Sequence, residues 1–357
     1  MRIMSVVGAR PQFVKAAPVC QALRERHEEL LVHSGQHYDY AMSDVFFEQL
    51  GVPAPDFTLG VGSGPHGRMT GAMLGMLEQL FMEEAPDAVL VYGDTNTTLA
   101  GGLAAAKLNI PVVHVEAGLR SFNRTMPEEI NRVLVDHLSE LLLCPTHVAA
   151  DNLAAEGIRD GVHIVGDVMI DTARFFAERA DTAATLATYG VAPREYYLAT
   201  VHRASNTDDR EALGSLIEGL GGVGAPVLWA VHPRTRARLA EFGLEEAVSR
   251  LTNIRVLDPI PYIETVALLR SARALLTDSG GMQKEAYFFG VPCITLRDET
   301  EWVETVELGW NTLVGTDPRA IAEAAAHPAH PAERPAVYGD GHAAATIARV
   351  VEEHFSA

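Results

Sequence analysis

Carboxylates follow successive apolar runs in the first half of the sequence. Asp94 comes just after one run, Glu116 directly continues the next, and Glu128 with Glu129 opens a later helical segment. Helix capping and the helix dipole account for Asp94, Glu128 and Glu129 taken singly. Neither explanation applies to Glu116, because Gly118 delays any helix after it. An acid at the buried edge of a sheet needs a charge partner or a functional role. Clustered carboxylates whose mutual repulsion separates their pKa values are suited to proton transfer.

Two stretches have the composition of anion-binding turns. Gly8 allows a tight turn after the first apolar run, and Arg10 and Lys15 add positive charge where the next helix begins. Ser279–Gly281 follows the run Ala274–Thr277 and precedes a helical segment. Small residues there let a ligand approach the backbone, and the helix N-terminus would face an anion.

Histidine–arginine pairs end two further runs in the second half. His202 is followed by Arg203, and His232 by Pro233 and Arg234. A single histidine at a strand end is commonly structural, but two such clusters at neighbouring strand ends favour a functional site. Motifs for P-loop nucleotide binding, zinc peptidases and serine-hydrolase elbows are absent from the sequence.

Strand–helix units must position these side chains. Short runs rich in Val, Ile and Leu alternate with helical segments along the whole chain, which predicts an α/β fold with parallel sheets covered on both faces. The best domain boundary lies near 166–171, and it leaves enough strand–helix units in each half for one doubly wound sheet. Ligands bind outside the carboxyl ends of such strands, so we expect two sets of strand ends to face an interdomain cleft.

Length and charge indicate how many domains the chain has and which classes of binding partner are unsuitable. The chain has 357 residues, with 28 basic and 47 acidic groups and a formal net charge of −19. This length favours two domains, and the missing basic footprint argues against nucleic acid and membrane partners. Three widely spaced cysteines without a C-x-x-C pair predict reduced, buried thiols and a cytoplasmic protein.

Read in order, the polar motifs resemble those of the non-hydrolysing UDP-N-acetylglucosamine 2-epimerase family over nearly the whole chain. The motifs are Gly-Ala-Arg-Pro-Gln (8–12), Gly-Asp-Thr-Asn-Thr (93–97), His-Val-Glu-Ala-Gly-Leu-Arg (114–120), Pro-Glu-Glu-Ile-Asn-Arg (127–132), His-Arg (202–203) and Asp-Ser-Gly-Gly (278–281). The resemblance implies a GT-B architecture: Rossmann-like domains at 1–168 and 169–340, and a final helix, 341–357, that packs back on the first domain. It also suggests a homodimer.

The resemblance further implies a reaction. UDP-N-acetylglucosamine and UDP-N-acetylmannosamine would interconvert by anti elimination of UDP to 2-acetamidoglucal and re-addition, with no metal or cofactor. Motif positions assign acid/base catalysis and assistance of UDP departure to Asp94, Glu116, Glu128 and His202, and leave open which carboxylate removes the C2 proton. The remaining matched positions would bind the UDP-sugar; they are Arg10, Lys15, Arg120, Arg203, Ser279, Gly280, Gly281 and Glu285.

Two departures from the family pattern leave the exact sugar open. Trp302 occupies a position where many relatives have arginine, and Gln36–Tyr40 differs from relatives that their own substrate activates. A related substrate such as UDP-2,3-diacetamido-2,3-dideoxy-glucuronate is therefore an alternative. A GT-B glycosyltransferase and a non-catalytic nucleotide-sugar binder are further alternatives, which the clustered acids disfavour.

Overall fold

The computed structural model describes residues 1–35 and 53–356. The sequence departure at Gln36–Tyr40 lies outside these residues, as does the side chain of Arg10. The chain forms two compact units, of which the first comprises Met1–Thr172 and Val337–Ala357 and the second Ala173–Ala336.

The first unit is built on a parallel sheet with, in the described ranges, the strand order β3-β2-β1-β4-β5-β6-β7. Its strands are β1 (Arg2–Val7), β2 (Glu28–His33), β3 (Phe57–Thr58), β4 (Ala88–Tyr92), β5 (Val112–Val115), β6 (Leu141–Cys144) and β7 (Val162–Ile164). Every residue of β4, β5 and β6 is buried, which explains why these strands are continuous apolar runs. The chain order reverses between β1 and β4, where doubly wound sheets bind ligands.

Helices flank this sheet. They are α1 (Arg10–Arg24), α2 (His66–Glu84), α3 (Asn96–Lys107), α4 (Pro127–Leu138), α5 (His147–Ala155) and α6 (Val168–Arg179), within which the first unit ends. The numbering covers only the ranges that the structure describes. The Thr95 side chain caps α3 by accepting from the Thr98 N–H, and Pro127 opens α4 at a position where a missing N–H costs nothing.

The second unit contains a second parallel sheet, ordered β10-β9-β8-β11-β12-β13. Its strands are β8 (Tyr197–Thr200), β9 (Val227–Ala230), β10 (Ile254–Leu257), β11 (Ala274–Thr277), β12 (Cys293–Thr295) and β13 (Asn311–Leu313). The helices are α7 (Thr182–Tyr189), α8 (Ala204–Thr207), α9 (Arg210–Gly221), α10 (Pro233–Glu241), α11 (Glu245–Ser249), α12 (Tyr262–Ser271), α13 (Gly280–Phe289), α14 (Val303–Glu307) and α15 (Pro318–Ala326).

The last helix, α16 (Ala343–Phe355), belongs to the first unit. Its apolar face, which includes Ile347 and Val351, joins the core that α1 and β1 form. At its N-terminus the Ala343 and Ala344 N–H groups donate to the Asp171 carboxylate at 2.9 and 2.8 Å. This carboxylate satisfies free N–H groups that the first helical turn would otherwise leave unpaired.

The two parallel sheets confirm the predicted fold class, a pair of Rossmann-like α/β domains of the GT-B type. In the described residues, no helix is both long and apolar enough to cross a bilayer.

Candidate active site

Glu116 and Lys15 form an ion pair at the carboxyl edge of the first sheet. The Lys15 Nζ donates to Glu116 Oε2, and the side chains are 18% and 6% exposed. Burial acts to lower the pKa of Lys15, but the Glu116 carboxylate outweighs it and raises that pKa, with Asp94 adding to the effect. Lys15 therefore stays protonated and provides Glu116 with a counter-charge.

The backbone around this pair is tightly constrained. Glu116 has a φ of 66°, in the left-handed region that costs a residue with a side chain about 1–3 kcal/mol. The facing Gly93 also has a positive φ, and a Cβ added there would lie 3.3 Å from Glu116 Oε2 and 3.6 Å from Lys15 Nζ. The Gly93 N–H donates to the Val115 carbonyl at 2.9 Å. A turn that keeps such strain beside a buried charge is a candidate functional site.

Helix α4 connects Asp94 with Glu128. The Arg132 guanidinium donates to Asp94 Oδ2 at 2.5 Å, and the Asn131 amide donates to the Asp94 carbonyl at 2.8 Å. Residues three and four positions apart share a helix face, so Glu128 lies on the face that meets Asp94. Glu128 is half-buried and, among the described residues, has no hydrogen bond or ion pair.

The adjacent Glu129 is bound quite differently. Its carboxylate accepts from the Ser121 N–H, the Ser121 hydroxyl and the Phe122 N–H, each at 2.9 Å, and it pairs with Arg132. Burial would raise the pKa of Glu129, but these donors outweigh it and lower the pKa. Glu129 therefore holds the loop that precedes α4, which leaves Glu128 as the available acid of the two.

Arg120 lies in a buried charge network. Its side chain is 1% exposed, and its guanidinium donates to Asp136 Oδ2 at 2.6 Å and to both carboxylate oxygens of Glu156 at 2.7 Å. Its hydrogen bonds go to this network and to the Leu119 carbonyl, and none joins Arg120 to Asp94 or Glu116 in the described structure.

In the second unit, His202 is anchored by Asp278. The His202 Nδ1 lies 3.2 Å from Asp278 Oδ1, and the same carboxylate accepts from the N–H groups of His202 and Arg203 and from the Asn206 amide at 2.9–3.1 Å. Asp278 is fully buried, whereas the His202 side chain is 40% exposed. Burial would raise the pKa of Asp278, but His202 and the N–H donors outweigh it and lower the pKa.

Sequence reasoning did not select Asp278 as a site residue, although the signal was present. Asp278 directly continues the buried strand β11, in the same way that Glu116 directly continues β5. The structure places this acid behind His202, where it fixes the turn that carries the imidazole.

The N-terminus of α13 begins in the predicted Ser-Gly-Gly turn. Ser279 is the N-cap residue, and its side chain makes no capping hydrogen bond. A Cβ on Gly280 would lie 2.4 Å from Glu301 Oε1, whereas one on Gly281 would meet nothing within 4 Å. A Cβ at 280 would therefore require the Glu301 side chain to move, and glycine at 281 leaves the helix N-terminus uncovered.

Arg203 and Glu285, the other residues of this unit that the sequence predicts to bind the substrate, both make hydrogen bonds within the unit. The Arg203 guanidinium donates to Glu301 at 3.2 Å, and its Nε donates to the Asp278 carbonyl at 3.1 Å. Glu285 is buried on α13 and accepts from the Tyr262 hydroxyl at 2.7 Å. In the part of the chain that the structure describes, no group of three or more His, Cys, Asp or Glu residues could hold a metal ion.

Comparison with known proteins decides the family. The model of the UDP-N-acetylglucosamine 2-epimerase family matches residues 21–352. The chain belongs to this family. The predicted resemblance, enzyme class (an isomerase) and reaction type are thereby confirmed.

Individual relatives in the 2-epimerase family cover most of the chain. A UDP-N-acetylglucosamine 2-epimerase homolog of Methanococcus maripaludis is 50% identical over 326 residues, which cover 90% of this chain and 91% of the relative. A UDP-2,3-diacetamido-2,3-dideoxy-D-glucuronate 2-epimerase of Pseudomonas aeruginosa is 51% identical over 333 residues, 91% of each chain. The crystal structure of the Methanocaldococcus jannaschii UDP-GlcNAc 2-epimerase with UDP-GlcNAc and UDP is similar with a TM-score of 0.85 and 40% identity, covering 99% of this chain and 100% of that one.

Trp302 is the feature in which this 2-epimerase departs from the arginine of many relatives. Its indole is 7% exposed and lies close to Gly280, whose added Cβ would be 3.0 Å from Trp302 Nε1. The Lys284 ammonium lies 3.9 Å from the centre of the Trp302 ring, a cation–π contact. The indole thus lies beside the beginning of α13, where arginine would place a charge.

We predict that Asp278→Asn lowers the free energy of unfolding at neutral pH by about 2–4 kcal/mol, because an amide cannot accept from all the buried donors. The folded pKa of Asp278 lies below the ordinary value of 3.8, so its stabilisation is present above that value and is lost as the pH falls through the folded pKa. Denaturant unfolding of both proteins across the acid range measures this difference.

The exposed Asp160 provides the control, because Asp160→Asn should change the stability little at any pH. A stability difference between the Asp278 variant and the wild type that stays constant from neutral pH into acid would contradict the assignment.

Proposed function

We propose that this 2-epimerase interconverts UDP-N-acetylglucosamine and UDP-N-acetylmannosamine by elimination and re-addition of UDP. The observation that supports this most is the group formed by Lys15, Glu116 and Asp94 in a member of this family. The similar Methanocaldococcus jannaschii enzyme was crystallised with UDP-GlcNAc and UDP. Elimination of a diphosphate requires acid/base groups and a site that binds the departing anion.

The proposed step balances as follows. A carboxylate takes the proton from C2, the C–H electron pair forms the C1–C2 double bond, and the C1–O bond breaks with its pair passing to the β-phosphate oxygen of UDP. Re-addition reverses these changes, with a proton delivered to the opposite face of C2. The proton leaves one face of C2 and returns to the opposite face, so acid/base groups are needed at both faces. We therefore assign this chemistry to Asp94, Glu116 and Glu128 jointly.

The counter-charges of these acids differ, which supports different roles. Lys15 pairs with Glu116 and Arg132 pairs with Asp94, whereas Glu128 makes no ion pair or hydrogen bond in the described ranges. A carboxyl group that no protein cation holds is available to contact the substrate. We therefore propose that Glu128 is the group that donates a proton during re-addition.

We propose that the predicted domain 169–340 binds the UDP moiety and that 1–168 carries the acid/base groups. His202 would contact the phosphate as UDP departs, held in place by Asp278. Arg10, Lys15, Arg203, Ser279, Gly280, Gly281 and Glu285 are the proposed binding residues. Arg120 is proposed to act through its buried network, because its side chain is 1% exposed.

Incorporation of solvent deuterium tests the proposed reaction. The protein is incubated with UDP-N-acetylglucosamine in deuterated water, and C2 is followed by NMR. We expect the mannosamine epimer to appear, with deuterium entering C2 of both epimers, because the abstracted proton exchanges with solvent. Inversion with the original hydrogen retained would refute elimination, and transfer of the sugar to an acceptor would favour a glycosyltransferase.

A second candidate substrate is a UDP-diacetamido-uronate. The 51% identity to the Pseudomonas aeruginosa enzyme that acts on such a sugar and the presence of Trp302 favour it. The same NMR assay with both UDP-sugars distinguishes the candidates. Turnover of the uronate with an inert UDP-N-acetylglucosamine would replace our first assignment.

We predict that Glu116→Gln lowers kcat by about 10²–10⁴-fold, the usual contribution of an acid/base group. The Kd for UDP, measured by calorimetry, should stay close to that of the wild type, because the proposed UDP contacts lie mainly in the other domain. Glu78→Gln, an exposed substitution of the same type on α2, is the control and should keep full activity. A wild-type rate for Glu116→Gln would remove Glu116 from the catalytic group.

We also propose that the protein is a cytoplasmic homodimer. Large apolar side chains are exposed on α2 and α4, which both pack against α3; they are Met76 (42%), Met82 (61%), Ile130 (45%) and Leu134 (46%). Exposed apolar side chains on neighbouring helices are suited to burial between two copies. Light scattering should give the mass of two chains, with Leu134→Lys shifting it to one; a wild-type mass of one chain would contradict the dimer.

The proposed cytoplasmic location is supported by the three cysteines, which are buried and form no disulfide, as is usual for proteins of a reducing compartment.

A further inference from the structure

His114 lies in β5, directly behind the turn that carries Asp94, and none of the acid/base roles above uses it. Its side chain is fully buried. The Nε2 atom lies 2.8 Å from the Gly93 carbonyl oxygen, and Nδ1 lies 2.6 Å from Asp136 Oδ1. A carbonyl only accepts hydrogen bonds, so the ring donates from Nε2 to Gly93, and Nδ1 shares the second hydrogen bond with the Asp136 carboxyl group.

The surroundings of Asp136 favour its ionised form. Its other oxygen, Oδ2, accepts from the Gly118 N–H at 3.1 Å and from Arg120 at 2.6 Å. Burial would raise the pKa of Asp136, but His114 and Arg120 outweigh burial and lower it. Asp136 is thereby held in place and fixes the His114 ring from its Nδ1 side.

Further groups hold Asp136 in this position. Arg120 joins Asp136 to the carboxylate of Glu156, whose side chain is 28% exposed. The Cys144 thiol of β6 also lies beside Asp136, and burial and the Asp136 charge raise its pKa to about 12.

We infer that His114 is a positioning residue for the turn that carries Asp94. The Gly93 carbonyl is bound to His114, and the Gly93 N–H is bound to Val115, so both backbone groups of Gly93 are fixed to β5. Glu116 continues the same strand, and the bonds therefore fix Asp94 relative to Glu116. The kinetic part of this inference rests on the proposed epimerase activity.

Nitrogen-15 NMR of the histidine rings tests the hydrogen bond to Gly93 directly in the wild-type protein. We expect the Nε2 of one ring to carry a proton that exchanges slowly with solvent, because this proton is buried in the hydrogen bond to the Gly93 carbonyl, and its signal to vanish in His114→Gln. A His114 ring with an unprotonated Nε2 would overturn the inference.

Two amide substitutions then separate the two hydrogen bonds. A glutamine amide nitrogen occupies roughly the place of Nε2 and keeps the donor toward Gly93, whereas an asparagine nitrogen replaces Nδ1 and keeps only the donor toward Asp136. We expect His114→Asn to lower kcat by about 100-fold, the cost of misplacing a catalytic group by about 1 Å, with KM changed little. His114→Gln should retain most of the lost activity.

The same two substitutions at His137 are the matched control, because its exposed ring follows Asp136 on α4 and contacts only its own helix in the described structure. Equal loss in His114→Asn and His114→Gln, or a larger loss in the glutamine variant, would overturn the positioning role. A wild-type protein without epimerase activity would refute the proposed function instead, and the NMR result would still decide whether His114 binds the Gly93 carbonyl.

Discussion

The ion pair between Lys15 and Glu116 is the interaction on which the rest of the site depends. The two residues lie 101 positions apart, and a buried glutamate without this ammonium would carry a desolvation cost of several kcal/mol. Helix α1 must therefore begin beside the turn after β5, and the turn must bend back over Gly93. The positive φ of Glu116 is tolerated because the pair and the adjacent strand hold the backbone on both sides.

The same requirement for paired charge organises both units. In the first unit, Arg132 pairs with Asp94 and Glu129 at once, which fixes α4 against the site. In the second, Asp278 gathers N–H donors around the turn of His202. Glu128 differs from these acids because it has no such partner in the described structure. An edge made of fully paired acids with one available acid is suited to moving protons without large rearrangement.

Much of this architecture could be predicted from the sequence. The apolar runs of β4, β5 and β6 identify buried strands because helices cover both faces of the sheet. The edge strands β3 (Phe57–Thr58) and β13 (Asn311–Leu313) were not predicted, because two or three partly exposed residues show no periodicity. The order of the elements and the family motifs were enough to predict the fold. Short edge strands could not be predicted, because they form only through pairing with a neighbouring strand.

The site was predicted less completely, for a physical reason. Glu116 was recognisable because it interrupts an apolar context, but its partner Lys15 could not be inferred from spacing. His114 was read simply as part of a strand, since its role depends on Asp136, which α4 brings to it. Arg120 was predicted to bind the substrate, and its hydrogen bonds to Asp136 and Glu156 could not be inferred from spacing. Pairings between distant segments arise only from the tertiary structure.

The central claim is that inversion at C2 proceeds through cleavage of the C1–O bond. The most direct test uses UDP-N-acetylglucosamine labelled with oxygen-18 in the bridge between C1 and the β-phosphorus. The mechanism predicts that recovered substrate carries the label partly in non-bridging positions of the β-phosphate, because the phosphate of released UDP rotates before re-addition. Epimerisation that leaves all of the label in the bridge would contradict the mechanism.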